Sequence, residues 1–133
     1  MNDVSLTTLD FLYAPSADVA ADVAWFTDVL GAELVFAIES GGTRVAMLRL
    51  GTDAPCVLVT DHLPDDRPIL LYRVASLADA SERLGERGWT PDRTVDLPMG
   101  PATTFHAPGG LRLAIYEPSR PFVVDSMAGQ RDF

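Results

Sequence analysis

The stretch that decides the fold is residues 69–88, ILLYRVASLADASERLGERG, because it restarts a pattern that the chain has already used once. Its first six residues are mostly large and apolar and predict a buried strand. Ser76 then predicts the N-cap of a helix, and Gly88 predicts its end. One face of that helix carries apolar residues at helical spacing: Leu77, Ala80 and Leu84.

The same order occurs earlier, in residues 9–31, LDFLYAPSADVAADVAWFTDVLG. A short aromatic-rich strand runs to Ala14, a helix capped by Ser16 or Asp18 follows, and Gly31 predicts its end. The apolar face of this first helix is predicted to consist of Val19, Val23, Phe26 and Leu30.

Three strand-like runs follow each helix, and they lie at residues 33–39, 43–50 and 56–60 in the first half and at 92–97, 102–106 and 111–116 in the second. Ile69 stands 58 positions after Phe11, and Gly88 stands 57 positions after Gly31. Such a constant offset indicates a tandem duplication. The predicted organisation of the single domain is module one at 9–60, a linker at 61–68, module two at 69–117 and a tail at 118–133.

Each module reads βαβββ, so the predicted fold class is α+β. A lone module exposes the concave face of its sheet, and two modules must pair to cover their apolar surface. We therefore predict a half-barrel with helices on the outside and a cup on the inside, the kind of concavity that binds small molecules.

Composition excludes several classes of partner. The 133 residues carry a net charge of −9 at pH 7, which repels nucleic acid and anionic membrane surfaces. No apolar run is long enough to span a bilayer, and the first eight residues lack the basic and apolar parts of a signal peptide. The only cysteine, Cys56, has no cysteine to pair with. These features predict a cytoplasmic protein.

Several short runs, in their order along the two modules, resemble the vicinal oxygen chelate superfamily. The runs are WFTDVLGA at 25–32, PMG at 98–100, FHAPGG at 105–110 and AIYEP at 114–118. The superfamily includes glyoxalase I, bleomycin-resistance proteins, fosfomycin-resistance enzymes and extradiol dioxygenases. The resemblance covers residues 9–118.

The resemblance also implies where a metal would be held. Enzymes of the superfamily bind a divalent metal through His, Gln or Glu on the first and last strand of each module. The corresponding positions here are Phe11, Leu58, Ile69 and Ala114. None of these side chains has a lone pair for a metal, and a shift of one residue brings in a single ligating side chain, Asp10. We therefore predict no metal and no other cofactor, as in the bleomycin-resistance branch.

Side chains in phase with those four positions should line the cup, while Leu12, Leu70, Val74, Leu113 and Ile115 should face the helices, as should Ala46, Leu48 and Leu50. The predicted ligand-binding residues are Phe11, Tyr13, Met47, Arg49, Leu58, Thr60, Ile69, Arg73, His106, Arg112, Ala114 and Tyr116. This lining suits a planar apolar ligand. Two alternatives stay open: the aromatic residues fill the cup themselves, or the arginines form ion pairs at its rim.

Three functions are compatible with the sequence. The first is a metal-free binding protein that sequesters an organic molecule, such as an antibiotic or another aromatic compound, as in antibiotic resistance. The second is an enzyme of the lyase, isomerase or dioxygenase type that acts without the usual metal and moves protons through His106, Tyr13 or Tyr116; no catalytic residue is assigned. The third is a ligand-sensing or scaffold module with a protein partner.

The sequence leaves two alternatives open for the charge of the ligand and two for the assembly of the cup. The acidic surface favours a cation, whereas Arg49, Arg73 and Arg112 favour a carboxylate or phenolate. Exposed sheet edges predict a homodimer, with the tail residues Phe122 and Val123 reaching the partner. The cup then lies within one chain or across the interface.

Overall fold

The computed structural model describes residue 6 and residues 8–63 and 67–133, so residues 64–66 of the predicted linker and most of the first seven residues lie outside it. Within these residues, eight strands and two helices follow one another in the order expected of two βαβββ modules, with a third helix in the tail, which confirms the α+β class. They are β1 (Thr8–Pro15), α1 (Val19–Asp28), β2 (Glu33–Ser40), β3 (Thr43–Arg49), β4 (Cys56–Thr60), β5 (Ile69–Arg73), α2 (Leu77–Glu86), β6 (Arg93–Leu97), β7 (Gly100–His106), β8 (Arg112–Tyr116) and α3 (Phe122–Met127).

The chain divides into two units. The N-terminal unit comprises Phe11–Pro68 and Ser126–Phe133, and the C-terminal unit comprises Met1–Asp10 and Ile69–Asp125. Strand order is β2-β3-β4-β1 in the first unit and β5-β8-β7-β6 in the second. The first and last strands of each module pair in parallel, β1 with β4 and β5 with β8, and the other pairs are antiparallel.

Helix α1 begins at the predicted cap, because the Asp18 side chain accepts a hydrogen bond of 3.0 Å from the backbone N–H of Ala21. Val19 and Val23 are buried, as the periodicity predicts. Leu30 was wrongly assigned to the same face and is 49% exposed. The helix ends at Asp28, two residues before it, and Gly31 then reverses the chain at a φ of 70°.

The core of the N-terminal unit lies between α1 and one face of its sheet. Its buried residues are Val19, Val23, Ala32, Ala37, Ala46, Leu48, Val57 and Val59. The strand phase predicted for Ala46 and Leu48 is therefore confirmed. Leu50 does not belong to this core: β3 ends one residue before it, and its side chain is 47% exposed.

Helix α2 packs on one face of the C-terminal sheet. The Ser76 side chain accepts a hydrogen bond of 3.2 Å from the N–H of Asp79 and caps the helix, as predicted. The Glu117 carboxylate accepts another, of 2.9 Å, from the N–H of Leu77. The core beneath the helix consists of Val74, Ala80 and Ile115 with Tyr72, Leu77, Leu84 and Phe105 around them.

The end of the tail docks on the free edge of β2. The N–H of Gly129 donates to the carbonyl of Val35 at 2.8 Å, and the N–H of Ala37 donates to the carbonyl of Gln130 at 2.9 Å. Phe133 then packs on the α1 core, and the Arg44 guanidinium lies 4.8 Å from its ring centroid. The tail thus extends the sheet by a short parallel bridge and covers an edge that would otherwise pair with other chains.

None of the helices in the described part of the chain is long and apolar enough to cross a membrane.

Gly100, the first residue of β7, generates a prediction about stability. Its φ is 153°, and a Cβ there would lie 1.9 Å from the carbonyl oxygen of Glu117. Gly100→Ala must move the backbone of one of the two segments, so we expect it to lower the free energy of unfolding by about 3 kcal/mol.

Gly85→Ala is the matched control, because nothing lies within 4 Å of the Cβ it adds to α2. Replacing a helical glycine by alanine should raise the free energy of unfolding by about 1 kcal/mol. Urea titrations of both variants measure these changes. Equal stability of Gly100→Ala and the unmodified protein would contradict the close approach.

Candidate functional site

The C-terminal sheet has one face covered by α2 and one face turned away from it. Residues paired by Cα register lie on the same face of a sheet. Tyr72, Ile115 and Phe105 belong to the α2 face. The residues of opposite phase form a second surface, which we call the arginine face: Ile69, Leu71, Arg73, Arg93, Val95, Ala102, Thr104, His106, Arg112, Ala114 and Tyr116.

All six predicted ligand-binding residues of the C-terminal unit lie on the arginine face. Ile69, Ala114 and Tyr116 are buried. Arg73 and His106 are exposed, and Arg112 is half-buried. This face therefore combines a buried apolar strip with charged side chains that reach solvent.

Asp10 is the residue that organises this face. Its side chain is only 7% exposed, and its Oδ2 accepts a hydrogen bond of 2.8 Å from Nε of Arg73. The hydroxyl of Tyr116 donates to the same oxygen. A buried carboxylate is costly unless charged and polar partners satisfy it. Asp10 therefore fixes both a guanidinium and a phenol.

Asp10 was not among the predicted site residues, although it was noted as a ligating side chain one position away from Phe11. The available signal is a carboxylate inside the apolar strand LDFLYA. Such a charge is buried only with a partner, and the strand pattern alone cannot say which arginine provides it. Arg93 was also missed, because its place depends on the register of β6 with β7.

Two groups bound to Asp10 keep their protons over a wide pH range. Burial raises the pKa of the Tyr116 phenol above its ordinary value of 10.0, and the hydrogen bond to the Asp10 carboxylate acts in the same direction. The hydrogen bond to Asp10 raises the pKa of the Arg73 guanidinium above its ordinary value. At neutral pH the cluster thus presents a fixed cation and a phenol that donates a hydrogen bond.

The other six predicted residues belong to the N-terminal unit. Tyr13 pairs with Leu58 and Leu58 pairs with Met47 across the face turned away from α1. Phe11 and Thr60 are also buried, and the Thr60 hydroxyl donates to the carbonyl of Arg44 at 3.0 Å. Arg49 forms an ion pair of 3.3 Å with Glu33, whose side chain is largely exposed, while that of Arg49 is partly buried.

Tyr13 contacts a histidine in the loop after β4. Its hydroxyl lies 2.7 Å from Nε2 of His62, and the two rings meet edge to face at 5.8 Å. Burial raises the pKa of Tyr13 to about 12, while the hydroxyl of Thr60 acts in the opposite direction. Tyr13 is therefore a hydrogen-bond partner at neutral pH and a poor proton acceptor.

The donor set does not fit the divalent metal that the resemblance implies. Phe11 and Leu58 in the N-terminal unit, and Ile69 and Ala114 in the C-terminal unit, are buried and carry no ligating atom. Asp10, one position from Phe11, is held by Arg73 and Tyr116. Within residues 6, 8–63 and 67–133, no three His, Cys, Asp or Glu side chains come together as a metal site.

Comparison with solved structures gives likenesses over most of the chain. Methylmalonyl-CoA epimerase from Mycobacterium tuberculosis is similar with a TM-score of 0.69 and 21% sequence identity, covering 87% of this chain and 93% of that one. A variant of the Streptomyces coelicolor methylmalonyl-CoA epimerase, in complex with 2-nitronate-propionyl-CoA, has a TM-score of 0.70 at 17% identity and covers 86% of this chain and 99% of its own.

A third likeness is weaker. TnmS3, an antibiotic-binding protein from a Streptomyces species, is 20% identical over 85% of this chain and 97% of its own, and its TM-score of 0.41 is too low to support an argument. No family model and no curated protein matches the chain. The likenesses to the two epimerases show the fold of the chain, and at these identities they show no more than the fold.

The raised pKa of Tyr13 predicts how stability depends on pH. The folded protein keeps this proton up to about pH 12, whereas the unfolded chain releases it near pH 10.0. The contribution of Tyr13 is complete below pH 10 and is lost as the pH rises to about 12. The rise corresponds to about 3 kcal/mol.

Urea titrations across this pH range should show a smaller loss of stability in Tyr13→Phe than in the unmodified protein. His62→Gln is the control, because it leaves the burial of Tyr13 in place and should keep the original slope. Identical slopes in Tyr13→Phe and the unmodified protein would show that Tyr13 is not the group that titrates.

Proposed function

We propose that this chain, which has the fold of the vicinal oxygen chelate superfamily, is a metal-independent binding protein that sequesters a small organic molecule without converting it. One observation carries the proposal. The positions that the resemblance assigns to the metal hold Phe11, Leu58, Ile69 and Ala114, all buried and all without a ligating atom. The chain therefore has the fold of the superfamily, but at these four positions it lacks the side chains that would bind a metal.

The arginine face supports binding of an organic molecule. Small-molecule sites combine apolar surface with a few polar groups that fix orientation. Here Leu71, Ala114 and Tyr116 are each 3% exposed or less, so the part of the face that is open to a ligand consists of Arg73, whose side chain is half exposed, and the partly buried Thr104. The Asp10 carboxylate holds that guanidinium in place, and this arrangement reduces the entropy lost when a ligand binds.

Sequestration is favoured over catalysis because the residues that the sequence offers for proton transfer are poorly suited to that role. The pKa values of Tyr13 and Tyr116 are raised, which makes both phenols poor proton acceptors at neutral pH. His106 is exposed, and its Nδ1 lies 3.2 Å from a carboxylate oxygen of Asp92. If the protein is an enzyme, this pair is its remaining candidate base.

The test of this proposal combines binding with recovery of the ligand. We expect planar organic compounds to raise the melting temperature of the protein and to be recovered unchanged after long incubation, as judged by mass spectrometry. Zn²⁺, Ni²⁺, Mn²⁺ and Fe²⁺ should neither raise the melting temperature nor confer glyoxalase activity. A stoichiometric, tightly held metal or steady turnover of a bound compound would overturn the proposal.

A pair of variants tests whether the ligand binds on the arginine face. Thr104→Phe adds bulk beside Ala114 on the arginine face, whereas Thr94→Phe makes the same change on the opposite face of the same sheet. We expect Thr104→Phe to weaken binding of the best compound by about tenfold or more and Thr94→Phe to leave it unchanged. Calorimetric titration measures both. Equal effects of the two variants would place the site elsewhere.

We also propose that the protein is a cytoplasmic homodimer. Its support is an exposed apolar surface at the end of α1, where Trp25, Val29 and Leu30 are between 49% and 63% exposed. Such a surface is typical of protein contacts. The edge of β2 is covered by the tail, which favours the helix surface over that edge for pairing.

Val29→Asp should therefore shift the protein from dimer to monomer in sedimentation experiments, because the interface would have to bury an unpaired charge. Ala24→Asp on the exposed side of the same helix is the control and should leave the dimer intact. A monomeric unmodified protein at micromolar concentration would overturn this part of the proposal.

A further inference from the structure

We infer that residues 129–133, which we name the tail strand, dock on β2 of a second copy of this chain, so that the two copies exchange tail strands. The inference rests on the proposed homodimer and adds a second contact between its chains. The edge of β2 is then a binding site for an extended segment in which an acidic residue precedes an aromatic one. The structure shows the contacts of this site with the tail strand of the same chain.

Backbone hydrogen bonds attach the tail strand to alternate residues of β2. The N–H of Gly129 donates to the carbonyl of Val35 at 2.8 Å, and the N–H of Asp132 donates to the carbonyl of Ala37 at 2.6 Å. Ala37 in turn donates its N–H to the carbonyl of Gln130 at 2.9 Å. These bonds use backbone groups only, so an extended segment of another chain can form them equally well.

Two side chains of the tail strand make the site selective. The Asp132 carboxylate accepts a hydrogen bond of 2.9 Å from the N–H of Glu39, which favours one register of the tail strand on β2. Phe133 packs on the α1 core, and the Arg44 guanidinium lies 4.8 Å from the centroid of its ring. The Glu39 carboxylate forms an ion pair of 3.4 Å with that guanidinium. The site thus binds an acidic residue followed by an aromatic one.

The tail strand docks entirely within the N-terminal unit, and a connection without buried side chains leads to it. The Arg120 side chain fixes the start of this connection, because it donates to the carbonyl of Leu97 at 2.7 Å. None of the residues 121–128 is buried, and Phe122 is 66% exposed. Gly129 then turns the chain at a φ of 86°. Fully extended, such a connection spans about 27 Å, which is enough to carry the tail strand to a neighbouring chain.

A second copy is favoured over an unrelated partner because exchange keeps both sites filled with the same segment. An unrelated peptide has to displace a segment that is tethered to its own site, and a short tether corresponds to an effective concentration of about millimolar. Two copies instead exchange like for like, and the arrangement closes with two-fold symmetry. The proposed contact at the end of α1 holds the two chains together, so the partner's tail strand is tethered as well.

The first experiment replaces Phe133 of the full chain by the photoreactive residue p-benzoylphenylalanine. Because Phe133 packs on the α1 core, irradiation should join the tail strand to α1 or β2. In an exchanged dimer the new bond links two chains, and we expect the product to run on a denaturing gel at twice the mass of the 14.4 kDa chain. When unlabelled and isotope-labelled chains are refolded together, the crosslinked peptides should combine one labelled and one unlabelled segment.

A pair of ordinary variants tests the exchange without the photoreactive residue. Phe133→Ala removes a partly buried ring from the α1 core, and Phe105→Ala removes a partly buried ring from the core beneath α2. We expect Phe133→Ala to weaken the dimer by at least about tenfold in sedimentation experiments and Phe105→Ala to leave its affinity unchanged. Equal dimer affinity in the two variants would overturn the exchange, even where both variants lower the melting temperature.

Val29→Asp connects this inference to the proposed homodimer. The variant removes the α1 contact, so the tail strand should return to its own chain, and the crosslinked product should run as a monomer. Crosslinks within single chains, in a protein that sediments as a dimer, would overturn the exchange and leave the proposed homodimer. Crosslinks to neither α1 nor β2 would contradict the docking site. A protein that is monomeric at micromolar concentration would overturn both the homodimer and the exchange, while recovery of unchanged ligand would still decide the binding function.

Discussion

The structure depends on one constraint: α1 and α2 each cover a single face of the sheet in their own unit. In the C-terminal unit, α2 packs on the face that carries Tyr72, Ile115 and Phe105. Because side chains alternate along a strand, that contact fixes the direction of every other residue in the four strands. Arg73, Ala114 and Tyr116 must then lie on the opposite face. The position of the candidate site is thus a consequence of where the helix packs.

The same constraint explains what the sequence could and could not predict. Helical spacing and capping residues predicted α2 and its buried face, and the bounds of β4 were predicted residue for residue. Leu30 and Leu50 were wrongly assigned to buried faces, because the periodic pattern of the sequence continues past the turn that ends each element. In the tail, the apolar residues Phe122 and Val123 predicted a contact with a partner, whereas residues 129–132 dock on β2 through backbone hydrogen bonds, which leave no trace in side-chain hydropathy.

The candidate site was predictable in its apolar part and not in its polar part. Alternation selects Ile69, Ala114 and Tyr116 once the ligand positions that the resemblance implies have set the phase of β5 and β8. The pairing of Asp10 with Arg73 joins residues 63 positions apart, and a charge pair has no periodicity. Burial of one member makes this pair specific, because a carboxylate with 7% exposure requires a partner. The contact between Asp10 and Arg73 is therefore the part of the site that sequence patterns predict least well.

Loss of the metal ligands and the presence of Arg73 lead to the same functional conclusion. A divalent metal both holds an oxygen ligand and polarises it for reaction. The Arg73 guanidinium binds the carboxylate of Asp10, and its pKa, raised by that contact, keeps it protonated throughout the neutral range. It therefore cannot take a proton from the ligand, and the Tyr116 phenol beside it is no better a base. The arginine face therefore lacks the reactivity that a metal would supply, and this supports the proposal of sequestration.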